Sequence, residues 1–529
     1  MVDARMGNWM MGIKKWWKQI SKADIVVFFV LMGASVIFAY RTGLLICGCY
    51  FADDHEIVRL NAMINETGLF DTMKAWLSAD MNLRFRPVYW IFRVLESFIL
   101  GNHVILWHLV KALEIGFCAF LMYCFARKMK VSIYASVLFS VISFLGTQCA
   151  VVFRLGPQEP LALIWMFLAL IFAVRCQENA GRWDKVLFLF LLTMMMGVKE
   201  SFLLLAPVIV FFLCYLEWRK SESFSLKKHM GVLWKYKGIL IYTILLFLLC
   251  IGIIVFYCGV DSTGYAGFDE HLSIGDYLGL MWNIWTGSLS VYLRIFFAML
   301  LLCVVVWIYQ LMKCKPQKAQ WFFLRFCEIL FPLYFIMSQS ILHAKSSMDE
   351  RYLLPCVTGI FIYVMIFGYD YFSKVKWSAV LYYAGITALF LFLAIRSNIY
   401  QVTRNYATVC IHNMQMLDRV NQLTEAYAGT DTNIVISTRY GEWNMAFSAF
   451  MEELYGVHNV YSLSQTDSGD GLAYDRYVKE EEEKAGHDIT DADIYIAQSE
   501  YLPQKLGENG VDVNAFSQEV FGYYIVYYR

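Results

Sequence analysis

Charge is scarce in this chain. Only 17% of its 529 residues are Asp, Glu, Lys or Arg, against about 25% in a soluble domain, while 59% are hydrophobic. With a mean hydropathy of +0.50, this excludes a soluble enzyme and leaves a polytopic α-helical membrane protein, with no nucleic-acid partner. A disulfide framework is missing too. The 14 Cys fall mostly inside apolar runs, as Cys118, Cys124 and Cys250 do, where a thiol behaves as a small hydrophobe. Cys47 and Cys49 stand close together, but no second Cys or His pair at ligand spacing joins them to suggest zinc. Nor is a cleavable leader present: Asp24 to Ile46 is too long for its apolar core, and no small-residue cleavage site follows. The first hydrophobic segment is expected to stay as a span.

What charge there is lies unevenly. Residues 401–529 carry 8 Lys and Arg against 20 Asp and Glu, a balance of −12, set against +12 for the first 400. Residues 7–22 interleave Trp9, Trp16 and Trp17 with Lys14, Lys15, Lys18 and Lys22, the mixture of an interfacial helix at anionic headgroups, which puts the N-terminus in the cytoplasm. Apolar runs of the roughly 17–25 residues a span needs centre near 35, 114, 141, 166, 192, 209, 248, 300, 333, 361 and 386, about eleven in all, with one re-entrant element as the alternative to the tight pair of short spans around Lys199. The basic loops agree. Arg127, Lys128 and Lys130, then Arg219, Lys220, Lys227, Lys228, Lys235 and Lys237, then Lys313, Lys315 and Lys318, and finally Lys374 and Lys376 all fall on the cytoplasmic side. An odd count sends the acidic C-terminal part outside, with the loops near Asp53, Arg154, Glu200, Asp269 and Asp349.

Three regions result: a cytoplasmic interfacial segment over 1–23, a transmembrane domain over 24–396 with a first outer loop over 47–87, and an extracytoplasmic domain over 397–529. In the last, residues 433–438, 459–463, 493–497 and 523–527 read as short buried strands between helical stretches such as 442–455, a small α/β domain. Residues 88–100, with Arg93 and Glu96, read as an interfacial helix. Residues 261–288, with Gly264, Gly267, Trp282 and Trp285, read as a lid or a partly inserted segment. Glu480 to Glu483 is a solvated charge run.

Four clusters on the outer side carry the polar chemistry. Asp53-Asp54-His55-Glu56 sets three carboxylates just after the first span, suited to a general base, a divalent metal or a helix cap. Arg84-Phe85-Arg86-Pro87 is a basic edge, Arg154 to Pro160 a polar turn containing Glu159, and His343-Ala344-Lys345 with Asp349-Glu350-Arg351-Tyr352 the start of the tenth span. Lys199-Glu200 joins the same side. Carboxylates collected beside guanidinium groups suit a lipid phosphate: the cations grip the phosphate while an acid deprotonates a hydroxyl nucleophile. Membrane anchoring and salt bridges explain each cluster taken singly. His108, Lys111 and Glu114 fall near one face of the second span, where ionisable groups are costly; a structural pair of Lys111 with Glu114 accounts for them, and a rival transporter or lipid-flippase reading would rest on them.

Taken together, these motifs resemble the GT-C superfamily of polyprenyl-phosphate-dependent membrane glycosyltransferases, especially the branch of protein O-mannosyltransferases and aminoarabinose transferases. The resemblance rests on Asp53-Asp54, Arg86-Pro87, Trp107-His108-Leu109-Val110-Lys111, Lys199-Glu200-Ser201 with Pro207, and Arg351-Tyr352-Leu353-Leu354-Pro355, over roughly residues 25–370. It implies an inverting hexosyl transfer from a polyprenyl-phosphate sugar to a hydroxyl of an extracytoplasmic glycan, lipid or protein, in a cell membrane, with a bacterial cytoplasmic membrane preferred. Asp53 and Asp54 would be catalytic, Asp53 as base. Arg86, Arg154, Lys345 and Arg351 would hold the donor phosphate. Glu159, His55, Lys199 and Glu200 would supply a second carboxylate or position the acceptor. A divalent cation, Mg or Mn, would fall to Asp54 and Glu159. His55 and the C-terminal α/β domain have no counterpart in that family.

Overall fold

A computed structural model describes residues 21–529 apart from 83, 147, 149–151, 180, 259–270, 315–317, 347, 349, 375 and 464–489. The expected interfacial helix over 7–22 lies almost wholly outside these residues, as do the Gly264–Gly267 stretch and Glu480–Glu483.

Helix α1 (Lys22–Thr42) begins at Ser21, whose hydroxyl and Asp24 cap each other's backbone N–H groups, and stops at Gly43 with φ +87. Short amphipathic helices α2 (His55–Thr67), α3 (Leu69–Met81) and α4 (Pro87–Leu100) follow, and the long α5 (Val104–Lys128) returns against α1. The two long helices meet at Gly116, where a Cβ would lie 3.0 Å from Cα of Met32. Ser35 donates to the Ala112 carbonyl at 2.6 Å, and the Tyr123 hydroxyl donates to Asp24 at 2.6 Å. Next come α6 (Ile133–Ile142), α7 (Glu159–Asn179), α8 (Arg182–Val198), a turn at Glu200–Leu203, α9 (Ala206–Trp218), α10 (Leu226–Lys235) and α11 (Lys237–Ile253). The chain continues through α12 (Ile274–Thr286), α13 (Ser290–Cys314), α14 (Lys318–Leu342), α15 (Leu354–Phe361) and α16 (Lys376–Ser397).

Among the described residues nine helical runs are long and apolar enough to cross a membrane, α9, α11 and α15 counting with the helical segments that adjoin them as Glu200–Trp218, Lys237–Tyr257 and Arg351–Phe372. The other two expected spans, near 141 and 192, correspond to shorter helices. Helix α6 has 10 residues and α8 has 17, about 15 and 26 Å at 1.5 Å per residue, less than the roughly 30 Å hydrocarbon core. After α6 the buried chain leaves helical geometry, and the Gln148 side chain donates to the Ser143 and Leu145 carbonyls, at 3.1 and 2.9 Å. After α8, Lys199 is extended.

At Asn398, in the left-handed region, α16 gives way to the amphipathic α17 (Ile399–Ala426). The C-terminal sheet contains β1 (Ile434–Ser437), then α18 (Gly441–Tyr455), β2 (Val460–Ser462), β3 (Ile494–Ala497), α19 (Tyr501–Glu508), β4 (Ser517–Phe521) and β5 (Tyr524–Tyr528), in the order β2-β1-β3-β5-β4. Strand β1 is parallel to β2 and β3, while β5 is antiparallel to β3 and β4. Alternation sorts its faces: Ile434 and Ile436 pack with Leu417, Phe447 and Phe450, while Val435 and Tyr495 pack with Leu502 and Leu506 of α19. The first of these cores also takes in Cys49, Phe51 and Val58. The small domain is thus packed onto the loop that carries the acidic pair.

Candidate active site

Phe51 anchors that loop. It is 1% exposed, with ring centroids 5.8 Å from Phe450 and Tyr524 and 6.1 Å from Phe447. Two residues on, Asp53 takes φ +64, a conformation Asp tolerates better than most side chains, and its carbonyl accepts the Glu56 N–H at 3.2 Å to start α2. The reversal sends neighbouring carboxylates into different surroundings. Asp54 is 1% exposed, accepts the Tyr50 N–H at 2.8 Å, and is pushed by burial up to about 7. The Asp53 side chain retains 30% of its exposure. His55 and Glu56 are buried, Glu56 accepting from the Tyr89 hydroxyl at 3.4 Å.

Opposite Asp53 stands Arg351, in a short helical turn (Glu350–Leu353) ahead of Pro355. Its Nη1 lies 3.8 Å from Oδ2 of Asp53 and its Nε 3.9 Å from Oε1 of Glu159. Glu159 is the first residue of α7, and its carboxylate also accepts from the Lys199 ammonium. Lys199 lies 4.8 Å from the ring centroid of Tyr352; burial lowers its pKa, against the pull of Glu159. His343, 1% exposed, lies tilted against the Tyr352 ring at 4.6 Å; burial and then the Lys199 charge push it down to about 3, so it is neutral. Segments far apart in sequence therefore converge as Asp53, Arg351, Glu159, Lys199, Tyr352 and His343.

The backbone behind this cluster is braced by the residues singled out inside the second span. His108 Nε2 lies 2.9 Å from the Gly48 carbonyl, and Lys111 donates to the Pro157 carbonyl at 2.9 Å while pairing with Glu114 at 2.9 Å. Arg93, over the Trp107 ring at 4.6 Å, donates to the Leu155 carbonyl at 3.4 Å. The loop of Asp53 and the turn of Gly156 are both held in this way. There Gly156 comes so close to Asp53 that a Cβ would meet its carboxylate.

Other expected residues stand elsewhere. The Arg86 guanidinium grips Asp80 through Nε and Nη2, at 3.0 and 2.9 Å, and lies over Tyr89 and Trp90. Arg154 lies over the Tyr50 and Tyr406 rings, at 5.7 and 4.9 Å. Both were expected on the donor phosphate; neither pairs with the acidic pair, because nearer partners take them. Glu200 is held by Arg84 through two contacts, at 3.1 and 3.3 Å, and by the Phe85 N–H at 3.1 Å. Lys345 is half-buried and has no ion pair among the described residues. Asp54 and Glu159 do not suit a shared divalent cation: one is buried on a backbone N–H, and the other is neutralised by Lys199 and Arg351. Among the described residues no three His, Cys, Asp or Glu side chains cluster as metal ligands. Tyr352 and Gly156 lie in motifs the sequence singles out, but their places beside Lys199 and Asp53 emerge only in three dimensions.

Neither a protein-family model nor a curated protein sequence matches the chain.

Proposed function

We propose that the chain is a membrane glycosyltransferase that moves a sugar from a polyprenyl-phosphate donor to an acceptor hydroxyl. The observation that carries this reading is the guanidinium of Arg351 set between a partly exposed carboxylate, Asp53, and a buried neutralised one, Glu159. Both contacts are longer than hydrogen bonds, so an incoming phosphate oxygen can replace either at small cost. Drawing Arg351 onto the phosphate releases the Asp53 carboxylate to accept a proton. The acceptor hydroxyl then loses its proton to Asp53, its oxygen bonds to the anomeric carbon, and the bond from that carbon to the phosphate oxygen breaks with inversion. Arg351 stabilises the charge that collects on the departing lipid phosphate. Asp54, buried and hydrogen-bonded to the loop, supports the turn rather than serving as base.

Eleven crossings from a cytoplasmic N-terminus, with α6 and α8 among them, would put the ends that carry Asp53, Glu159, Lys199 and Arg351 on one outer side, in keeping with their contacts, and the C-terminal domain with them. The acceptor is then extracytoplasmic. The transporter reading gains nothing from His108, Lys111 and Glu114, which are engaged in holding the loops.

The test is release of polyprenyl phosphate from a panel of polyprenyl-phosphate sugars by the purified chain, with acceptor extracts present. Acceptor-dependent release that is lost in Asp53→Asn and kept in Asp54→Asn supports the reading. Movement of labelled lipid across vesicles without release would replace it with a flippase.

A further inference from the structure

The register between α17 and the loop after α1 brings thiols together. A Cβ on Gly43 would lie 3.8 Å from Cβ of Ala407, and one on Gly48 would lie 2.1 Å from Cγ of Met414. Asn413 reaches the Cys49 carbonyl at 3.4 Å, and the Tyr406 ring lies 5.0 Å from that of Tyr50. Ala407, Cys410 and Met414 stand at helical spacing along one face of α17, so this contact turns Cys410 towards Cys47. His108 approaches from α5, its Nε2 3.5 Å from the Cys47 sulfur. The neighbouring Cys410 thiol, with His108 assisting, lowers the pKa of the Cys47 thiol in spite of its burial. Both cysteines are free and buried.

We infer that Cys47 and Cys410 are a redox pair that closes into a covalent tether between the Asp53 loop and the C-terminal domain. The oxidant is a small disulfide or a thiol–disulfide exchange protein. The Cys47 thiolate attacks one sulfur of the disulfide and expels a thiolate. Cys410, losing its proton, then attacks the Cys47 sulfur of the mixed disulfide and expels the second thiolate. The chain loses two thiol hydrogens, and the oxidant is reduced to two thiols. Because both sulfurs are covered once α17 is docked, the exchange belongs to the docking step or to a transient opening. The tether acts on the segment that leads to Asp53, which would make the candidate active site sensitive to redox state; this last point alone rests on the transferase reading.

The experiment uses the full chain in detergent, reduced and then exposed to oxidised glutathione at a temperature just below its melting point. It is quenched by alkylation and digested without reductant. The expected result is a cross-linked peptide pair containing Cys47 and Cys410 that dithiothreitol releases, with two alkylatable thiols lost. Cys49→Ser retains the cross-link, and Cys410→Ala abolishes it. Oxidation should also raise the melting temperature of wild type and leave that of Cys410→Ala unmoved. Recovery of both cysteines as alkylated thiols, or as separate glutathione adducts, overturns the inference, as does a cross-link of Cys47 to Cys49. None of these readouts depends on sugar transfer, so failure here is distinguishable from failure of the proposed reaction.

Discussion

The Cβ that Gly156 lacks would lie 2.4 Å from Oδ2 of Asp53 and 2.5 Å from its Cβ. No side chain fits there unless one of the two backbones yields, and both are pinned. Leu155 and Pro157 are held through their carbonyls by Arg93 and Lys111, and the Asp53 loop by Phe51 in the C-terminal core. Gly156→Ala is therefore expected to displace the Asp53 carboxylate and lower kcat by about 10- to 100-fold, the scale of a misplacement near 1 Å. Turnover of a lipid-linked sugar, set beside the melting temperature, checks this. Full activity in a folded variant would remove Asp53 from the chemistry.

Arg351 and Arg86 should separate function from stability. Arg351→Gln takes away the cation facing Asp53 and is expected to cut kcat/KM by about 10²–10³, with little change in melting. Arg86→Gln leaves the buried Asp80 carboxylate without its guanidinium and should destabilise by roughly 3–5 kcal/mol. Whatever Arg86→Gln protein still folds should retain near-native kcat. The reverse pattern would return Arg86 to the phosphate site.

Glu159 and Lys199 are both almost fully buried, so neither is tolerable without the other. Lys199→Met should cost about 3–5 kcal/mol by stranding a carboxylate, and the double variant Lys199→Met with Glu159→Gln should recover much of that loss. Thermal unfolding in detergent of the single and double variants gives the coupling. Additive losses would mean that the two charges act apart.

Much of the helical architecture is legible because apolar length is a one-dimensional property. The nine long helices, and four of the five strands, stand where hydropathy and alternation put them. The fifth strand, β4, was missed: Ser517, Gln518 and Val520 are exposed at the sheet edge, so its sequence lacks a buried run. The candidate site was legible in part. Asp53, Glu159, Lys199 and Arg351 each sit beside a span end, where an ionisable residue is conspicuous. Arg86 and Arg154 are conspicuous for the same reason and yet pair elsewhere, because a sequence shows which cations lie at an edge and not which partner is nearest. The Lys111–Glu114 pair is legible from its spacing, but what else His108 and Lys111 hold is not. Their partners are backbone carbonyls of Gly48 and Pro157, which no pattern of side chains announces.

Asp54 offers a test by pH. Its carboxyl titrates near 3.8 in an open chain, and burial raises it to about 7 in the folded protein. Between those values the folded chain holds a proton that the unfolded chain has released, so the folded state binds more protons and stability falls as pH rises. Below the lower value both forms are protonated, and above the upper one both are ionised. The loss is therefore confined to the window from about 4 to about 7, with a slope near 1.4 kcal/mol per pH unit where the difference is a full proton. Asp54→Asn cannot ionise and keeps an oxygen for the Tyr50 N–H, so it should lack this slope. Melting temperatures of the two proteins should lie close together at about pH 4 and separate towards about pH 8, with wild type the lower. A separation that stays constant across this range would show that Asp54 is not held neutral by its surroundings.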